Sequence, residues 1–87
     1  MKCIFEYTNY RTYLKDFYEH KKASEGYTYR DFSKAAGMNS SSWLLHLIRG
    51  TKCLSTETAA RVAKVVKLTE DETEYFFALV HFTQAES

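Results

Sequence analysis

The chain has no proline and only three glycines among its 87 residues, so few positions can break a helix or force a tight turn. Its two cysteines, Cys3 and Cys53, have no CxxC spacing and no regular spacing to His20, His46 or His81. Neither a disulfide framework nor a zinc site is indicated, and no metal or cofactor is expected. No apolar run approaches the roughly 18 residues of a membrane span. The opening residues, with Lys2 and Glu6, lack a signal-peptide core, so a cytoplasmic protein without a membrane partner is expected. A large charge excess is missing too: the net charge is +1, low for a nucleic-acid-binding domain. There is no glycine-rich phosphate loop or paired-carboxylate pattern, and no acid spaced to orient His46 beside the serines, so an enzyme is not expected.

What is present is material for one core. Hydrophobic residues make up 45% and aromatics 16%, with seven Tyr and six Phe, enough for a single domain over 1–87. Charge is segregated along it. From Thr28 to Ala63 the bases Arg30, Lys34, Arg49, Lys52 and Arg61 face only the acids Asp31 and Glu57, whereas Glu70, Asp71, Glu72 and Glu74 cluster later.

No stretch alternates with period two, and helices joined by short turns are the economical parse, giving an all-α, five-helix chain. The first helix is expected after Thr8 as N-cap, ending around Ala23, with Tyr10, Tyr13, Leu14 and Phe17 on one face and Arg11, Lys15 and Glu19 opposite. The second opens at Thr28, with Asp31 three residues on, buries Tyr29, Phe32 and Ala36, and stops at Gly37. Asn39 then reads as the N-cap of a third helix over 40–49, leaving Gly37-Met38-Asn39 as the turn. That helix carries Trp43, Leu44, Leu47 and Ile48 on its apolar side, with Ser41, Ser42, Leu45, His46 and Arg49 opposite, and Gly50 ends it. A fourth helix from Ser55 buries Ala59, Val62, Ala63 and Val66. The fifth opens on the capping box Thr69-x-x-Glu72 and turns Tyr75, Phe76, Leu79 and Val80 inward.

A helix, a glycine-containing turn and a second helix with a small polar outer face is the arrangement that major-groove reading requires, because the groove admits one helix that must project. Phe32 to Asn39, then Trp43 to Gly50, Leu54-Ser55 and Ala59 to Leu68 resemble the lambda-repressor/Xre helix-turn-helix pattern over roughly 28 to 77, with the core of the motif at 28–50. Ser33 stands where that pattern usually has Ala. The opening Ile4 to Tyr10 and the run Ser40 to Leu44 are also similar to the start of a largely uncharacterised bacterial family of regulators with a longer C-terminal region. The resemblance implies a compact lambda-repressor-like fold and sequence-specific binding of double-stranded DNA, as in a transcriptional regulator. It implies base contacts from Ser40 and Ser41 and phosphate contacts near Tyr29 and Arg30. Asn39, Ser42, Leu45, Arg49 and Lys52 complete the expected contact set, with Arg49 or Lys52 reaching a guanine edge or a phosphate.

The alternative is a helical protein-interaction module without DNA binding, favoured by the near-neutral charge and by Leu45. The last helix also has a wide apolar arc. Phe77, beside His81, is expected to project from the core face and to serve a homodimer or a C-terminal region beyond this chain.

Overall fold

The computed structural model describes residues 2 to 85, so residue 1 and residues 86–87 of the expected 1–87 unit lie outside it. Among the described residues the chain forms a 3-10 turn at Ile4–Glu6 and five α-helices, with no strand. The helices are α1 (Tyr10–Glu25), α2 (Tyr29–Ala35), α3 (Trp43–Arg49), α4 (Thr56–Val66) and α5 (Glu70–Ala85). None is long and apolar enough to cross a membrane.

The caps explain most boundaries. Asn9, one residue later than expected, starts α1: its Oδ1 accepts from the Arg11 N–H at 2.8 Å. The helix runs to Glu25 rather than Ala23, because Gly26 is the first residue to take left-handed backbone, at φ 67. Thr28 and Asp31 cap α2 reciprocally: the Asp31 N–H donates to Thr28 Oγ1 and the Thr28 N–H to Asp31 Oδ2. Ser55 with Thr58 does the same for α4, and Thr69 with Glu72 for α5.

Three helices end in one geometry, the Schellman motif, in which a left-handed residue lets two N–H groups reach back to the last turn. At α2 the residue is Gly37 (φ 75), at α3 Gly50 (φ 87) and at α4 Lys67 (φ 64). The Gly37 and Met38 N–H groups, for instance, donate to the Lys34 and Ser33 carbonyls at 3.0 and 2.9 Å.

The expected third helix is shorter than its sequence reading. It begins at Trp43, not Ser40, so the link from α2 spans residues 36–42 rather than three residues, and Asn39 does not cap it. Ser42 holds the N-cap position without a side-chain cap bond; its Oγ lies 3.2 Å from Ser40 Oγ instead. Asn39 to Ser42 are all acceptable caps, so local preference does not select among them. Packing does: the helix starts where Trp43 and Leu44 enter the core, 3% and 0% exposed.

The core is aromatic. Tyr10 meets Phe76 edge-on with ring centroids 6.2 Å apart, and Tyr7 meets Tyr13 at 5.1 Å. Helix α1 is the centre, lying against both α3 and α5, and the Cα radius of gyration of 11.9 Å suits a compact chain of this length. Tyr29, Tyr75 and Val66, expected inside, are half-buried and pack against this core. Phe77 does not project as expected: it too is half-buried against the core, on the side where α5 lies over α4. The large apolar side chains left in solvent are Phe5 and Phe82, 50% and 55% exposed.

Candidate functional site

Helices α2 and α3 meet at the seven-residue bend, and a cleft of about 420 Å³ opens on its outer side. Arg30 and Lys34, one turn apart on α2, line one wall; Met38, Asn39 and Ser41 line the other; Ser33 lies at the base. Arg30, Lys34, Asn39 and Ser41 are exposed, and among the described residues their side chains make no hydrogen bond or ion pair. Ser33 is only 1% exposed, yet its Oγ has no hydrogen-bond partner. Two cations, an amide and a hydroxyl thus converge on one concavity with their hydrogen-bonding capacity unused inside the chain. That is donor chemistry suited to oxyanions.

The structure divides the nine expected contact residues. Arg30, Asn39 and Ser41 come together in the cleft, joined by Lys34 from outside the expected set. Ser40 and Ser42 stand beside it, their hydroxyls 3.2 Å apart. Tyr29 does not reach outward: its ring stacks on Tyr18 at 4.1 Å with planes 7° apart. Leu45 is half-buried rather than exposed. Arg49 and Lys52 are exposed but lie at and beyond the far end of α3, about 10 Å of helix from the serines at 1.5 Å per residue.

What holds α3 in place is Arg11, which the helical periodicity puts on the solvent face of α1. It is half-buried instead, and its Nη1 donates to the Leu47 carbonyl at 2.6 Å and the Lys52 carbonyl at 2.8 Å. A guanidinium on carbonyls of the last α3 turn and the loop beyond also suits the negative end of the helix. The same end is closed by His46, whose carbonyl accepts from the Thr51 N–H at 3.0 Å and whose Nδ1 lies 3.1 Å from Thr51 Oγ1. The loop that follows is fixed from α5: the Leu54 N–H donates to Gln84 Oε1, and Gln84 Nε2 donates to the Leu54 carbonyl. The outer face of α3 is therefore carried on a base tied at both its end and its exit.

No protein-family model matches the chain, and neither a curated protein nor a solved structure matches it.

Proposed function

We propose that the domain is a helix-turn-helix module of the lambda-repressor kind that binds double-stranded DNA, with the bend and the start of α3 facing the major groove. The observation that carries this reading is the cleft itself: Arg30, Lys34, Asn39 and Ser41 gather beside a helix whose opposite side is locked in the core. In this reading Arg30 and Lys34 hold backbone phosphates, and Ser40 and Ser41 offer short hydroxyls that allow close approach to base edges. With α3 starting at Trp43, these serines approach the groove from the bend rather than from a helical turn.

The test is fluorescence anisotropy on random-sequence duplexes at two salt concentrations. Binding that falls steeply with salt supports the reading, and Arg30→Gln should reduce the slope of log K against log salt by about one. Ser41→Glu should abolish binding while leaving the melting temperature unchanged. Salt-insensitive binding, or normal binding by Ser41→Glu, overturns it.

A second reading has its own observation. Phe5 and Phe82, the exposed large apolar side chains, flank Tyr75: the Phe5 ring lies 5.1 Å from that of Tyr75, and Phe82 shares with Tyr75, Ala78 and Leu79 an apolar hollow. This is a surface for a protein partner or a second copy of the chain, and it takes the place that Phe77 and His81 were expected to fill. Sedimentation of the wild type and of Phe82→Lys tests self-association; equal monomeric profiles remove the second copy.

A further inference from the structure

A second and larger cleft, of about 730 Å³, lies where the end of α1 and the end of α2 meet α4. It shares no lining residue with the cleft at the bend. Four cations surround it: Lys21, Arg61, Lys64 and Lys67. Two are already paired along their own helices, Lys21 with Glu25 at 2.8 Å and Arg61 with Glu57 at 2.9 Å. Lys64 and Lys67 make no ion pair among the described residues, although Glu25 also feels the Lys67 charge. The walls between the cations are apolar and small. Tyr27 and Val65 are half-buried against the core, and a Cβ on Gly37 would stand 3.5 Å from Arg61 Nη1.

Lys67 is the telling residue. The chain places glycine at the left-handed position of two Schellman motifs, at Gly37 and Gly50, and lysine at the third, its one non-glycine with positive φ among the described residues. A side chain there strains the backbone, and such strain persists where another requirement holds it. The Lys67 side chain lines the cleft together with that of Lys64, and neither makes an ion pair among the described residues.

We infer that this cleft is a ligand site, and that it takes a small phosphorylated molecule with a flat apolar part, of about the size of a mononucleotide. A phosphate dianion matches the two unpaired ammonium groups, with Lys21 and Arg61 adding to the field. The flat part lies against Val65 and the small residues Ala35 to Gly37, beside a Tyr27 ring that already carries Lys21 Nζ 5.7 Å from its centroid, and the volume falls within the range of small-molecule sites.

The experiment is calorimetric titration of the chain with guanosine monophosphate, guanosine and inorganic phosphate at low salt. The nucleotide should bind at least about tenfold more tightly than either part alone. Lys67→Gly should weaken it roughly fivefold while raising the melting temperature by about 4 °C, because glycine relieves the left-handed strain. Lys64→Gln should weaken it by a similar factor without that gain in stability, and Arg30→Gln, in the other cleft, should leave it unchanged. Binding of the nucleotide no tighter than of inorganic phosphate, or equal weakening by Lys67→Gly and Arg30→Gln, overturns the proposal: the cations would then collect anions without selecting one.

Discussion

Around α1 and α5 three tyrosine hydroxyls find partners inside the chain, whereas at the α2–α3 bend two cations, an amide and a hydroxyl have none among the described residues. In the first region the Tyr7 hydroxyl donates to Asp16, the Tyr10 hydroxyl to Gln84 and the Tyr75 hydroxyl to the Tyr7 carbonyl, each on a ring packed among other rings. In the second, Arg30, Lys34, Asn39 and Ser41 face solvent unpaired, and even the buried Ser33 hydroxyl goes unmet. Polar groups that complete a core stabilise it. Polar groups held outward on a rigid base leave their hydrogen bonds to something else.

The comparison can be broken most forcefully from the aromatic side. Phe76→Ala should cost about 4 kcal/mol, since Phe76 is fully buried among Tyr10 and Tyr13, and denaturant unfolding measures it. A loss below about 1 kcal/mol would place the core elsewhere. Next comes alkaline pH. Burial pushes the Tyr7, Tyr10 and Tyr13 hydroxyls up to about 12, helped at Tyr7 by Asp16 and opposed at Tyr10 by Arg11. The unfolded chain loses these protons near 10, so stability is fully present below that pH and falls as pH rises from about 10 towards 12. Melting curves should drop steeply across that window, and Tyr13→Phe should flatten the drop; a flat wild-type curve would contradict the packing.

Between the regions stands Arg11. Arg11→Gln should cost about 2 kcal/mol, because two carbonyls at the end of α3 lose a charged donor, and amide exchange should speed up first in α3 and the loop to Leu54. Uniform exchange across the chain would mean that α3 does not depend on it. The smallest effect belongs to Ser33, whose replacement by alanine removes an unmet buried hydroxyl and should raise stability by about 1 kcal/mol in the same unfolding assay. A loss instead would show that the hydroxyl has a partner in solution.

Local signals carried most of the fold in the sequence. The cap at Thr28, the capping box at Thr69 and the stops at Gly37 and Gly50 are decided within four residues of chain and stand where the sequence predicts them, with Asp31 closing a reciprocal box on Thr28 besides. The start of α3 is not legible, because Asn39 to Ser42 offer four comparable caps and the choice is made by Trp43 packing against Phe32 of the preceding helix. Arg11 was hidden for a related reason: periodicity identifies a polar face, but not carbonyls that another helix brings to it. Of the expected contact residues, Arg30, Asn39 and Ser41 were visible as charge and turn chemistry. Lys34 was seen only as charge, since its place depends on the path of residues 36–42.

One contact pair has a consequence for how the chain folds. The Tyr10 N–H donates to Thr83 Oγ1 and its hydroxyl to Gln84, across separations of 73 and 74 residues, so the first helix and the last turn of the fifth close the chain into a ring. Closing a loop of that length costs about 4 kcal/mol of chain entropy, a cost set by length and not by which residues meet. A linker joining the described ends would remove much of that entropy from the unfolded chain. A circular permutant opened in the loop between α1 and α2 would keep every contact while changing which of them must form across the longest distance.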